Sequence, residues 1–328
     1  MNEISRVGLL TSGGDAPGMN ACVRAVTRSA IASDFEVVGI KRGYAGMIDG
    51  DFVDMDSKSV SNILQKGGTV LKSTRSRRFM TEEGRAIAAQ NLIDAGIDAI
   101  VAIGGDGTFK GATIFAAEHR VHVVGCPGTI DNDLFGTDET IGYDTALNTA
   151  IENIDKIRDT ADAHNRLFLV EVMGRDAGFI ALNSAIGGGA EKVLLPERDT
   201  NIIEIKKHLI SLMSSHARSS IVVVAEGEGQ GGAARLAQEL QEDETFDDID
   251  LRVCILGHTQ RGGSPTARDR VLASRLGIAA VKALVDGYSG IMVGVVDNDI
   301  KHTPLKEVCA RKKDIDYDLL NLAQQLST

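Results

Sequence analysis

The stretch "DAIVAIGGDGTFKG" (98–111) decides the fold. Its first half is a nearly continuous apolar run rich in β-branched residues, which is how a strand buried on both faces reads. Its second half breaks at two glycines, carries one aspartate and leads into a longer helical stretch. A buried strand that ends in glycine and turns into a helix is the repeating unit of a parallel sheet covered by helices.

The same unit recurs on both sides of that stretch. Apolar runs of strand type stand at 6–11, 36–40, 121–125, 166–172, 192–195, 220–226, 252–257 and 291–296. Amphipathic helical patterns lie between them at 18–33, 82–96, 144–163 and 266–287. So many strands exceed one comfortable small sheet. The expected fold is therefore α/β, with two Rossmann-like domains of mainly parallel sheets. No linker rich in proline, serine or charge separates the halves, so the chain is expected to cross between domains more than once. The acidic run "QEDETFDDID" (241–250) reads as a solvated surface loop.

Composition narrows the classes of function. The 328 residues are 43% hydrophobic and 25% charged, as in a globular protein with a sizeable core. The absence of tryptophan makes that core mainly aliphatic. A formal charge of −11 argues against nucleic acid and anionic membranes as partners, although "KSTRSRR" (72–78) is a dense basic run. Cys22, Cys126, Cys254 and Cys309 form no C-x-x-C pair, which reads as reduced thiols and a cytoplasmic location. No apolar run reaches the roughly 18 residues of a membrane span.

In open α/β sheets, ligands bind beyond the carboxyl ends of the strands. The loop "TSGGDAPGMN" (11–20) places Gly13 and Gly14 there, either as exposed amides for an anion or as a plain strand-to-helix turn. In "GGDGTFKG" (104–111), phosphates could lie on backbone while Asp106 reaches a magnesium ion. The alternative for Asp106 is an N-cap. A third loop, "CPGTIDND" (126–133), brings Asp131 and Asp133. If the three strands are neighbours, the loops gather at one edge, and phosphates with a metal fit such a set best. Arg75, Arg166, Arg175, Arg252 and Arg261, with His258, supply cations at strand ends or beside glycines. Arginine suits phosphate because it binds bidentately and is always charged.

Together "TSGGDAPGMN", "GGDGT", "PGTIDND", "EVMGR" (171–175) and "GHTQRGGSP" (257–265) resemble the bacterial ATP-dependent 6-phosphofructokinases, in order and spacing over roughly residues 5–300. The resemblance implies transfer of the ATP γ-phosphoryl group to the 1-hydroxyl of fructose 6-phosphate, with magnesium, in the cleft between two domains. It implies a larger ATP-binding domain, 1–141 plus 259–309, and a smaller sugar-phosphate-binding one, 142–258 plus 310–328. It assigns Gly14, Tyr44, Arg75, Ser76, Gly105, Asp106, Gly107 and Thr108 to ATP, with Asp106 holding the metal. Asp131 becomes the base for the 1-hydroxyl, with Thr129, Asp133, Arg75 and Arg175 as catalytic partners. Thr129, Ile130, Asp131, Met173, Gly174, Arg175, Glu226, His258 and Arg261 face the sugar phosphate, and Arg166 and Arg252 reach it from a neighbouring subunit of a homotetramer.

Two further expectations follow from the resemblance. Pyrophosphate-using relatives usually carry an aspartate and a lysine where this chain has Gly107 and Gly128, which favours ATP as donor. Arg24, Arg28, Arg158, Glu191 and Arg218 match an inter-subunit site for ADP or phosphoenolpyruvate. Family cations are missing there at Ser57, Ser215 and Ala217, so effector control is expected to be reduced or altered. The other readings are a pyrophosphate-dependent enzyme, a silent sugar-phosphate or nucleotide sensor, and a dinucleotide oxidoreductase. Asp106 and Asp131 count against the sensor, and the lack of a G-x-G-x-x-G fingerprint counts against the oxidoreductase.

Overall fold

The structure is a computed structural model that describes residues 4–162, 166–198, 201–214, 220–229, 231–247 and 249–326. It divides into two compact units. The first comprises Met1–Ile130, Leu134–Thr145 and Arg261–Lys313, and the second comprises Asp131–Asp133, Ala146–Gln260 and Asp314–Thr328.

The first unit is built on strands β1 (Arg6–Thr11), β2 (Glu36–Ile40), β3 (Phe52–Met55), β4 (Ala99–Gly104) and β5 (His122–Pro127). The second contains β6 (Leu167–Val172), β7 (Lys192–Leu194), β8 (Ser220–Ala225) and β9 (Leu251–Ile255). The chain then returns to the first unit for β10 (Ile291–Val296) and β11 (Asp299–Pro304). The first sheet has the order β11-β10-β5-β4-β1-β2-β3 and the second β7-β8-β6-β9. All pairings in the second sheet are parallel. In the first, only β3 against β2 and β11 against β10 are antiparallel.

The central strands of each sheet are buried as their apolar pattern requires, whereas Arg252, Val253 and Ile255 of the edge strand β9 are exposed. Residues Val7, Leu9, Leu10, Val101, Ile103 and Val124 are essentially inaccessible in the first, and Leu169, Val170 and Val222–Val224 in the second. Alternating residues of β1 and β4 therefore feed both faces, which is why these strands read as unbroken apolar runs. Helix termini follow local chemistry. Thr81 caps the helix Glu82–Asp94 by accepting from the Gly84 amide at 3.1 Å. Gly96, left-handed at φ 65°, ends the same helix. Among the described residues no helix is long and apolar enough to cross a membrane.

The acidic run 241–250 departs from the sequence reading. Glu244–Phe246 forms a 3-10 turn that buries Phe246, and Asp243 pairs with Lys206 at 3.0 Å. Asp250 takes the guanidinium groups of Arg166 at 2.6 Å and Arg252 at 2.7 Å. The run is thus anchored by one aromatic side chain and tied to Arg252 on the edge strand β9 and to Arg166, just before β6.

Candidate active site

The first sheet reverses direction at its middle. From β1 the chain adds β2 and β3 on one side, then crosses to add β4 and β5 on the other. The space beyond the carboxyl ends of β1 and β4 is therefore a topological switch point, the place where open α/β sheets bind ligands. Register pairs Thr11 with Ile103 and Gly104 with Pro127, so three strands end at one level. The Ser12 amide donates to the Ile103 carbonyl at 3.0 Å, and the Gly128 amide to the Gly104 carbonyl at 2.9 Å. The three glycine loops thus lie side by side.

The middle loop is the most constrained. A Cβ on Gly104 would stand 2.3 Å from Thr108 Oγ1 and 2.7 Å from the Ser12 carbonyl oxygen, so only glycine fits. Gly105 is the N-cap of the helix Asp106–His119. The cap reading of Asp106 is thereby excluded; its carboxylate instead meets Lys110 Nζ at 2.6 Å. Around Gly107 a Cβ would meet nothing within 4 Å. Thr108 Oγ1 is buried without a hydrogen-bond partner among the described residues, beside Gly104 of its own turn and Gly13 of the first loop. A helix N-terminus with open amides favours anions. At Gly13–Gly14, by contrast, the next helix begins only at Met19, so that loop works through its bare backbone.

Basic and hydroxyl groups line the same loops. A Cβ on Gly14 would lie 2.7 Å from Arg261 Nη1, which donates to the Asp15 carbonyl at 3.2 Å. Ser73 Oγ donates to the Gly13 carbonyl at 2.5 Å, and Arg75, two residues on in the basic run, is exposed. Ser76 Oγ accepts from the Phe79 amide at 3.3 Å. Tyr44 is buried beneath the loop. Its hydroxyl donates to the Thr108 carbonyl at 2.5 Å, its ring stacks on Phe79 at 3.9 Å, and burial pushes its phenol well above the usual range. Tyr44 thus supports the loop from below.

The magnesium expectation can be tested on these donors. Among the described residues no group of three histidines, cysteines, aspartates or glutamates could hold a metal unaided. Magnesium keeps waters and uses one or two carboxylates plus substrate phosphates. A single half-exposed carboxylate at an anion-favouring helix start fits that need.

In the third loop Thr129 and Ile130 are buried, and Asp131 is only 4% exposed. A Cβ on Gly105 would touch Thr129 Cβ at 3.4 Å, so the Asp106 turn and the start of this loop are in contact. Asn132 adopts a left-handed conformation at φ 54°, which turns the chain between Asp131 and the half-buried Asp133.

The second unit carries another built loop. Glu226 Oε1 accepts from the amides of Arg175 at 2.7 Å and Gly174 at 3.3 Å, and the Met173 amide donates to Gln260 Oε1 at 3.3 Å. Gly174 and Arg175 both have positive φ, 149° and 56°. A Cβ on Gly227 would fall 1.7 Å from the Arg175 carbonyl oxygen, so the loop rests on bare backbone. The outcome is an exposed Arg175 side chain on a rigid turn. His258 is exposed in the turn Gly257–Arg261. Arg166 and Arg252 both pair with the carboxylate of Asp250.

The effector residues are separately placed. Arg158 pairs with Glu191 at 3.2 Å and donates to the Gly188 and Gly189 carbonyls, all in the second unit. Arg24 and Arg28 lie on the helix Met19–Ala32 of the first unit, half-buried and exposed respectively, and Ser57 is exposed. Ser215, Ala217 and Arg218 lie outside the described residues. Sequence reasoning passed over Asp250, Gln260, Thr140 and Asp269. A polar residue whose partners are distant in the chain leaves no local signal; Gln260 lies inside "GHTQRGGSP" and Asp250 ends the acidic run 241–250, but neither stretch shows what its side chain meets.

A two-unit α/β fold with glycine loops converging on a switch point defines a class of phosphate-binding proteins. Within it, the phosphofructokinase family model matches residues 6–284. An ATP-dependent 6-phosphofructokinase of Thermus thermophilus is 56% identical over 324 residues, covering 99% of this chain and 100% of that one. A second, from Bacteroides thetaiotaomicron, is 51% identical over 327 residues, with both chains covered completely. The solved phosphofructokinase of Saccharomyces cerevisiae superposes with TM-score 0.87 at 35% identity, covering 98% of this chain; this chain spans about half, 48%, of the yeast chain. A pyrophosphate-dependent phosphofructokinase from Marinobacter aquaeolei shares the fold, with TM-score 0.84 at 21% identity over 96% of this chain and 86% of that one. The chain belongs to the phosphofructokinase family.

Proposed function

We propose that the protein transfers the γ-phosphoryl group of ATP to the 1-hydroxyl of fructose 6-phosphate, giving fructose 1,6-bisphosphate and ADP. The observation that carries the reading is the alignment of three glycine loops on adjacent strand ends, with Thr129 against Gly105. Its full-length similarity to enzymes named for this activity supports it.

The roles follow from what each group can do. The first unit takes the nucleotide: the amides of 13–14 and 105–107 and the Thr108 hydroxyl face its phosphates, and Arg75 adds charge. Tyr44 is assigned as a support of that loop, through its bond to the Thr108 carbonyl. Asp106 would hold magnesium, which when bound offsets charge on the phosphates. Asp131 accepts the proton of the 1-hydroxyl as its oxygen attacks the γ-phosphorus and the bond to the β–γ bridging oxygen breaks. Thr129 and Asp133 arrange that carboxylate. Arg175, set rigidly by Glu226, neutralises charge on the transferred group. Met173, Gly174, Glu226, His258 and Arg261 belong to the sugar-phosphate set. We assign Arg166 and Arg252, which both pair with Asp250, to the 6-phosphate of a neighbouring protomer in a homotetramer working in the cytoplasm.

The test is a donor comparison on purified protein with fructose 6-phosphate. ATP with magnesium is expected to support turnover and pyrophosphate to support little. Chelation is expected to abolish the ATP rate, and Asp106→Asn to raise the magnesium concentration needed for half-maximal rate by about tenfold or more, on the order of 1.4 kcal/mol. Equal rates with both donors would overturn the reading. The effector site is assigned to ADP or phosphoenolpyruvate with weakened response, because Ser57 supplies no charge. A full response to either ligand in a kinetic titration would overturn the expected weakening.

A further inference from the structure

We propose that Asp269 is a positioning residue for phosphoryl transfer, acting through the segment 140–145 on the backbone that leads into Asp131. The inference rests on the proposed function and deepens it.

Asp269 lies in the first turn of the helix Ala267–Val285 and is 1% exposed. A carboxylate so buried needs donors, and three converge on it. Oδ1 accepts from the Gly142 amide at 2.7 Å; Oδ2 accepts from the Thr145 amide at 2.8 Å and the Thr145 hydroxyl at 2.5 Å. Thr266 closes the knot. Its amide donates to Thr145 Oγ1 at 3.0 Å, and its hydroxyl donates to Asp144 at 2.6 Å and accepts from the Asp269 amide at 3.2 Å. Burial pushes the Asp269 carboxyl up to about 6, against the pull of its three donors. These contacts hold residues 142–145 at the start of the helix Tyr143–Asp162.

The held segment in turn grips the catalytic loop. The Ile141 amide donates to the Pro127 carbonyl at 2.9 Å, and Gly128 and Ile141 form a β-bridge. Thr140, fully buried, donates its hydroxyl to the Thr129 carbonyl at 2.6 Å. Gly128 is itself bonded to Gly104 in the Asp106 turn. The other side of the segment is equally tight: a Cβ on Gly142 would stand 2.6 Å from Ala16 Cβ, and one on Gly18 2.7 Å from Ile141 Cγ2. A chain of direct bonds therefore runs from Asp269 through 140–145 to Thr129, two residues before Asp131. Asp269, Thr266, Thr145 and Thr140 are given no part in the proton transfer or in contact with substrate. What they set is the backbone at Thr129, which carries the chain into the base, where a shift of about 1 Å can cost about 100-fold in rate.

The test uses the full-length protein with ATP, magnesium and fructose 6-phosphate. Thr140→Val removes one hydroxyl at nearly constant volume, and is expected to lower kcat about 10-fold or more with KM for ATP within about twofold. Thr140→Ser is expected to restore the rate. Asp269→Asn, which presents an amide to backbone donors, is expected to lower kcat by at least as much, and the double variant to be less than additive because the two act in series. Nucleotide-binding stoichiometry, measured by equilibrium titration, is expected to stay at the wild-type value. If Thr140→Val and Asp269→Asn match an active wild type, the positioning role is wrong. It is equally wrong if their losses track only a falling fraction of nucleotide-binding protein. A wild-type chain that transfers no phosphoryl group would sink the functional reading and this inference with it, and is told apart by that control alone.

Discussion

Asp131→Asn is expected to lower kcat by about 10²–10⁴-fold, the usual contribution of a positioned general base, with KM for ATP changed by less than about threefold. The substitution keeps the shape of the side chain and removes its ability to take a proton. Asp131 is 4% exposed, between fully buried Ile130 and left-handed Asn132, so the replacement has little freedom to swing aside. An effect on kcat without one on nucleotide binding separates a base from a residue that merely shapes the loop. Asp133→Asn provides the internal comparison: half-buried and past the Asn132 turn, Asp133 is assigned to arranging the site, and its variant is expected to lose clearly less. Steady-state kinetics on both variants decide the matter. Near-normal turnover in Asp131→Asn would mean that the hydroxyl proton leaves by another route.

What could be read from the residues depended on how local the controlling physics was. Of the nine strands legible as apolar runs, most are covered on both faces and so must be apolar throughout; the edge strand β9 reads the same way although Arg252, Val253 and Ile255 are exposed. The two that did not, β3 with "FVDM" and β11 with "DIKHTP", are antiparallel edges, and most of their residues are exposed or half-exposed, so no apolar run was needed. The glycine loops were legible because a missing Cβ is visible in sequence. That Gly104 admits no Cβ while Gly107 has open space around it was not legible, since the difference lies in Thr108 and Ser12. Tyr44 appeared among nucleotide-facing groups by resemblance, and only the stack on Phe79 and the bond to Thr108 show its support of the loop. Asp250 was hidden inside an acidic run because Arg166, its partner, is 84 positions away. Asp269 was hidden more thoroughly. An aspartate in the first turn of a helix is sufficiently explained by the helix dipole, and its role becomes visible only when Gly142 and Thr145 are found on its carboxylate.

Gly107→Asp is expected to lower ATP-supported kcat/KM by about 100-fold while leaving the fold intact. Position 107 is in the first turn of the helix Asp106–His119, its φ is not left-handed, and a Cβ there meets nothing within 4 Å. A carboxylate near a helix N-terminus is favourable, and replacing glycine narrows the unfolded ensemble. The melting temperature should therefore hold or rise slightly. Activity should not hold, because the new charge would face the nucleotide phosphates, and like charges brought together cost several kcal/mol; about 2.7 kcal/mol already corresponds to 100-fold. The opposite movement of stability and activity is what ties the loss to the donor. A kcat/KM within about threefold of wild type would show that Gly107 does not line the phosphates. Gly128, the second position bearing on donor choice, is limited differently. A Cβ there would lie 3.0 Å from Ile103 Cγ2, 3.2 Å from Met19 Cε and 3.4 Å from the Gly104 amide nitrogen. Gly128→Lys is thus expected to lower the melting temperature as well as the ATP rate, since the side chains of Ile103 and Met19 must give way to admit it. The glycine at 107 is then a matter of which phosphate chain the site accepts, whereas the glycine at 128 also answers to packing between the strand ends.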